Sequence, residues 1–223
     1  MINIAIDGPA GAGKSTLAKR LAHELGFIYV DTGALYRAVG LFVLRAGKKT
    51  DNSNEIIPLL SQIKIELIYS KDGQQVILCG ENVSQYIRTQ EISMAASNVS
   101  AIPEVRAFLL SLQKDIAKQN NCLMDGRDIG TVVLPHAQLK IFLTASPEER
   151  AKRRFEELKL KGTNDTFENV LQEIIKRDKQ DSSRKIAPLK PAEDGVIIDT
   201  TGLELDASFN KLLTLCKSKL NLA

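Results

Sequence analysis

Directly behind the apolar run Ile2–Ile6, residues 8–15 read GPAGAGKS and satisfy G-x-x-x-x-G-K-[ST] in full. Such a loop functions where a buried strand ends and a helix begins, which points to a parallel α/β sheet. Glycines let successive backbone N–H groups turn inward around anionic oxygens with no Cβ in the way. The helix that follows brings its positive end to the same place. Lys14 adds a mobile charge for the outer phosphates, and the Ser15 hydroxyl is a ligand for Mg²⁺. A glycine-rich turn with an exposed lysine is the plainer alternative; the complete eight-residue pattern in its strand–helix context outweighs it. The motif predicts a nucleoside-triphosphate site and is silent on what the triphosphate does.

The surrounding pattern supports the sheet. Lys14–Leu25 carries Leu17, Ala18, Leu21, Ala22 and Leu25 at helical spacing and stops at Gly26. Phe27–Val30 predicts a second strand, and a helix is expected from Ala34 to Ala46, ending at Gly47. Ile63–Val83 then alternates apolar and polar residues around Lys71-Asp72-Gly73, the signature of an antiparallel hairpin, read as part of an insertion. Helices are expected over Thr89–Ala101 and Pro103–Gln119, and strands at Cys122–Met124, Leu139–Leu143 and Val196–Ile198. Ser146, Pro147 and Glu149 predict a helix start with a capping box. In a last helix, Leu205–Leu220, one face collects Leu205, Phe209, Leu212, Leu213, Cys216 and Leu220. Five parallel strands with an insertion in the middle are the expected architecture.

Bulk composition excludes more than it identifies. The 223 residues are 43% hydrophobic and 26% charged, with a net charge of +3, an ordinary globular balance with no bulk case for nucleic-acid binding. No stretch approaches the roughly 18–20 apolar residues of a membrane span, and the N-terminus lacks a signal-peptide pattern, so a cytoplasmic location is expected. Cys79, Cys122 and Cys216 have no metal-ligand spacing and read as small buried hydrophobes. His23 and His136 read as surface or structural residues.

Three functional classes share such a loop. A regulatory GTPase needs an N-K-x-D segment, which is missing, and the D-x-x-G string Asp199–Gly202 reads as a turn after the last strand. A motor or regulatory ATPase stays open, since Asp125 follows an apolar strand. A small-molecule kinase leaves dispersed arginines that converge on a second anion: Arg37, Arg88, Arg106, Arg127, Arg150, Arg153, Arg154, Arg177 and Arg184 are candidates. Singly, each reads more readily as a solvated surface residue; Arg127 is the exception, because DGRDIG follows a buried strand. The lack of an obvious base favours a phosphate acceptor, already ionised near neutral pH, although Asp31, Asp125 and Asp128 remain candidate bases for a hydroxyl.

IDGPAGAGKST, DTGALYR, IRTQEIS, MDGRDIGTVV, KIFLTASPEERAKRR and RD…DSSRKIAPL, in this order, resemble a bacterial-type cytidylate kinase, a CMP/dCMP kinase of the P-loop nucleoside monophosphate kinase superfamily. The resemblance spans the chain from first strand to last helix. It implies a P-loop NTPase fold, an α/β structure whose five-stranded parallel sheet is flanked by helices. An inserted monophosphate-binding domain holds the hairpin, and a short lid completes the chain. The core would comprise residues 1–36, 102–149 and 179–223, the insertion 37–101 with its hairpin at 63–83, and the lid 150–178.

It also implies roles. Gly8, Pro9, Ala10, Gly11, Ala12, Gly13, Lys14, Ser15 and Thr16 would wrap the ATP phosphates, with Mg²⁺ on Ser15 and Asp125 reaching it through water. Thr32, Tyr36 and Arg37 would open the CMP site, Arg37 on the phosphate together with Arg127 and Arg184. Ser97 and Arg106 would face the cytosine edge assisted by Asp128, and Arg177 and Asp181 would serve the sugar. Lys14, Arg127, Arg150, Arg153 and Arg154 would carry the catalytic charge. Thr32 stands where the family often has Ser, keeping the hydroxyl and adding a methyl near the sugar or base. An Asp accepts from the amine of cytosine but meets a lone pair on uracil, so CMP and dCMP are expected over UMP. The expected partners are these small molecules alone, with no nucleic acid and no membrane, and the chain is expected to act as a monomer. The open alternatives are a P-loop kinase for another small acceptor and a nucleotide-dependent regulatory ATPase.

Overall fold

Short apolar strands at the centre of a parallel sheet are buried on both faces, and helices supply the cover. The computed structural model describes residues 1–70, 73–160 and 162–221. In chain order the first half runs β1 (Asn3–Asp7), α1 (Lys14–Leu25), β2 (Ile28–Asp31), α2 (Thr32–Arg45), α3 (Ser53–Ile56), β3 (Ile65–Ser70), β4 (Gly73–Leu78), β5 (Glu81–Asn82) and α4 (Gln90–Val99). The second half runs α5 (Pro103–Gln119), β6 (Cys122–Gly126), β7 (Leu139–Thr144), α6 (Pro147–Leu160), α7 (Phe167–Ser182), β8 (Val196–Asp199) and α8 (Leu205–Leu220).

The five predicted strands form one parallel sheet in the order β2-β6-β1-β7-β8. β1 lies in the centre, and its C-terminal end, where its two neighbours lead away into different loops, is where ligands of open α/β sheets bind. One face packs Ile4, Ile6, Ile141 and Leu143 against Leu17, Leu21, Phe209, Leu212 and Cys216 of α1 and α8. The other packs Ala5, Val30 and Met124 against Ala117 of α5 and against Ile129 and Val133. A second, antiparallel sheet, β3-β4-β5, shares a separate core with α2, α4 and α5. Its register pairs Ser70 with Gly73, so the predicted hairpin is present; Lys71 and Asp72 of the expected turn lie outside the described residues.

Local differences from the sequence reading have local causes. Helix α2 starts earlier than Ala34 because the Asp31 carboxylate accepts from the Ala34 N–H at 3.0 Å and caps it at Asp31. Ser146 Oγ accepts from the Glu149 N–H at 3.2 Å, as the capping pattern requires. The reciprocal half is not made: the Ser146 N–H goes to Thr201 Oγ1 at 2.9 Å instead. Leu205 leaves the apolar face of α8, 49% exposed in the helix's first turn. Cys122 and Cys216 are buried as expected, whereas Cys79 is exposed after β4. Helix α7, capped by Thr166, and the wide turn Ile129–Val133 had no counterpart in the sequence reading. No helix among the described residues is long and apolar enough to cross a membrane.

Candidate active site

A cleft of about 860 Å³ opens over the C-terminal ends of β1, β2 and β6, lined also by α2, α4, α6, α7 and the start of α8. Ala10 to Thr16 of the glycine-rich loop form one end. Gly8 and Pro9 lie behind that lining and serve it indirectly. A Cβ on Gly8 would come within 1.9 Å of the Leu143 carbonyl oxygen, so only glycine lets the loop leave β1 beside β7. The Pro9 carbonyl accepts from Lys14 Nζ at 2.7 Å, folding the side chain back into its own loop. Burial, and then the nearby Arg127, hold the Lys14 ammonium well below the usual lysine range.

Ser15 Oγ donates to Asp125 Oδ2 at 2.8 Å, and the Tyr29 hydroxyl donates to Asp125 Oδ1 at 3.0 Å. Burial, then the neighbouring Asp31 charge, push the Asp125 carboxyl up to about 6. An alcohol and a carboxylate side by side are hard oxygen donors, and no cluster of three metal-ligating side chains occurs among the described residues. This set fits Mg²⁺ that arrives with a triphosphate and keeps most of its water, rather than a resident metal in a protein cage.

The opposite end is cationic. Arg127 Nε donates to Asp181 Oδ2 at 2.7 Å, and Arg184 pairs with the other oxygen of Asp181 while donating to Ser100 Oγ at 2.9 Å. Arg177 is pulled down to about 10, by burial first and then by Arg127. Arg37 pairs with Asp31 at 2.7 Å, and Arg88 lies 3.8 Å from the same carboxylate. The Nε atoms of Arg37, Arg177 and Arg184 and the hydroxyl of Ser97 are buried without hydrogen-bond partners among the described residues. Charged donors left this way are costly unless an anion meets them.

Beside this group, Arg106 forms a buried pair with Asp128, donates to the Ser100 carbonyl at 3.2 Å and lies 5.7 Å from the Tyr36 ring. Thr32 donates its hydroxyl to the Asp125 carbonyl at 2.7 Å, tying the start of α2 to the end of β6. Every residue expected at the acceptor, namely Thr32, Tyr36, Arg37, Ser97, Arg106, Arg127, Asp128, Arg177, Asp181 and Arg184, lines this one cleft.

Arg150 departs from the expectation that groups it with Arg153 and Arg154. Those two line the cleft; Arg150 does not. Its guanidinium is occupied by the Ala145 and Ala10 carbonyls at 2.9 and 3.0 Å and by Asp178 at 2.6 Å. The sequence reading also missed Leu203, Glu204, Leu205 and Ser208, which line the same cleft. Asp199 accepts from the Thr201 N–H at 2.8 Å, so the D-x-x-G string is the expected turn, and that turn delivers these four residues to the cleft.

A family profile described as cytidylate kinase matches residues 4–218. The chain belongs to the cytidylate kinase family. It is 53% identical over 214 residues to a cytidylate kinase of Caldicellulosiruptor bescii, covering 96% of this chain and 95% of that one. A cytidylate kinase of Pasteurella multocida is 44% identical over 221 residues, covering 99% and 97%. Among solved structures, an uncharacterized protein from Eubacterium ventriosum aligns over 97% of this chain and 98% of its own with a TM-score of 0.56 at 12% identity, a likeness of fold. Nucleotides are the substrates that this family implies, and the cleft combines a glycine-rich loop with a cluster of arginines.

Proposed function

We propose that the protein transfers the γ-phosphoryl group of ATP to CMP and dCMP, giving ADP and CDP or dCDP. The observation that carries this reading is the surplus of buried guanidinium groups opposite the phosphate loop, where Asp181 alone is shared by Arg127 and Arg184. A nucleoside monophosphate supplies the missing charge. Its phosphate is already ionised, so an acceptor oxygen attacks the γ-phosphorus in line while the bond to the β–γ bridging oxygen breaks. Lys14, Arg127, Arg153 and Arg154 stabilise charge on the moving group. Ser15 would hold Mg²⁺ directly and Asp125 through water; bound there, the ion neutralises triphosphate oxygens. Arg37, Arg127 and Arg184 hold the acceptor phosphate, Arg177 and Asp181 the sugar, and Ser97, Arg106 and Asp128 read the base, with Thr32 and Tyr36 closing the site. Arg150 acts through the loop and not on the phosphoryl group. Residues 37–101 form the acceptor-binding domain and 150–178 the lid over a core of 1–36, 102–149 and 179–223. Nucleotide substrates and three free thiols suit a cytoplasmic enzyme.

A coupled ATP assay across CMP, dCMP, UMP, AMP and a hydroxyl acceptor such as shikimate tests the reading. CMP and dCMP are expected to exceed UMP in kcat/KM by at least about tenfold, because Asp128 would face a carbonyl lone pair on uracil. A UMP rate equal to the CMP rate sinks the base assignment. Faster turnover with shikimate, or turnover that no acceptor stimulates, sinks the reaction.

A further inference from the structure

Asp7 ends β1 and is buried, outside the cleft lining. Its Oδ1 accepts from the Ile129 N–H and its Oδ2 from the Gly130 N–H, each at 2.7 Å. Those N–H groups open the wide turn Ile129–Val133, in which Val133 N–H returns to the Asp128 carbonyl at 3.2 Å and Leu134 N–H to the Ile129 carbonyl at 2.7 Å. The first N–H groups of any helical turn have no partner inside it. Here a carboxylate from a strand 122 residues earlier supplies both.

Only two residues separate this held turn from the end of β6: Arg127 and Asp128. The β6 end is held as well. Gly126 pairs in register with Asp7, and a Cβ on Gly126 would meet Ile129 Cδ1 at 2.7 Å and Thr32 Oγ1 at 2.8 Å. The acceptor-facing pair is thus strung between two anchored points, and one anchor is the residue from which the phosphate loop departs at Gly8.

We propose that Asp7 is a positioning residue that fixes Arg127 and Asp128 against the phosphate loop, and through Asp128 sets the preference for the acceptor base. This rests on the acceptor reading given above. Burial pushes the Asp7 carboxyl up to about 6, with Asp128 raising it further and Lys14 and the two N–H bonds opposing, so the ionised form that accepts twice prevails at neutral pH. Chemically, the role requires two acceptors on one planar group. Asn in the same place keeps one oxygen and turns an NH₂ donor toward the other N–H, which forces the turn to shift.

The test is Asp7→Asn, assayed with CMP, UMP and ATP at neutral pH alongside the native enzyme. The ratio of kcat/KM for CMP over UMP is expected to fall about tenfold, as loss of one charge-assisted hydrogen bond warrants, with the KM for CMP rising more than that for ATP. A variant that loses stability or kcat yet keeps the native ratio shows a merely structural role and overturns the proposal. Amide exchange of the native chain, followed by NMR, decides the matter if the variant does not fold. Ile129 and Gly130 N–H should exchange only on global unfolding, and fast exchange at either overturns it. A native enzyme without CMP preference fails the acceptor reading instead, an outcome the exchange experiment does not share.

Discussion

Arg127 and Arg184 lean on one carboxylate, Asp181, and each keeps donors to spare for an anion. Removing Arg127 leaves Asp181 paired with Arg184, so the fold is expected to survive while the acceptor phosphate loses a rigid fork. Arg127→Ala should cut kcat by on the order of 10²–10³ with an unchanged circular dichroism spectrum, and Arg127→Lys should recover little, since a point charge replaces two aligned donors. Near-native kinetics in the alanine variant would contradict the role. Residues of this kind were legible in the sequence because each stands in a distinctive string. Arg150, grouped with Arg153 and Arg154 through the resemblance, sits apart from them for a physical reason. Spacings of three and four place it on one helix face with Arg153 and Arg154, but its turn of α6 is buried under the phosphate loop. Asp7 was illegible, because its partners lie across the sheet rather than nearby in the chain.

Among elements, the hairpin meets the parallel-sheet core through the packed Leu67 and through a second side chain that imitates a strand. Gln74 Oε1 accepts from the Asp31 N–H at 2.8 Å, and its Nε2 donates to the Asp31 carbonyl at 3.4 Å, extending the β2 edge by an amide. Asp31 in turn caps α2 and holds Arg37. The antiparallel sheet therefore braces Asp31, the partner of Arg37, from outside the cleft lining. Gln74→Ala is expected to raise the KM for CMP about threefold to tenfold and leave the KM for ATP unchanged, as steady-state kinetics will measure. Equal shifts in both constants would argue against the brace. The parallel strands and the hairpin announced themselves through continuous and alternating apolar runs. Helix α7 did not, because the apolar residues it buries are Val170 and Ile174, with Phe167 and Leu171 partly covered, in a narrow stripe against α6, and polar or charged residues fill most of the rest. The turn at Ile129–Val133 has no sequence signal of its own, being held from outside.

At the scale of the whole molecule, α4 and α7 meet beside the cleft that both line. Gln90 of α4 donates to both carboxylate oxygens of Glu173 on α7, at 3.0 and 3.1 Å. This exposed link ties α4 to α7; in the proposed reaction it would help keep water from the transfer. Gln90→Ala should raise the KM for CMP about twofold to fivefold without lowering kcat; a fall in kcat with KM unchanged would place the link in the chemistry instead. Helices α6 and α7 are locked together by Ala151, Leu158, Val170 and Ile174, with the Phe155 and Phe167 rings edge to face. Arg150 grips both the phosphate loop and Asp178 at one end of this pair. At the other end Leu160 is 90% exposed. Mechanically that is an arm held beside the phosphate loop and exposed at its far end. The 14 residues of α6 make an arm of about 20 Å, so a tilt of about 10° sweeps its tip through about 3–4 Å. The held end, beside the phosphate loop, stays almost still.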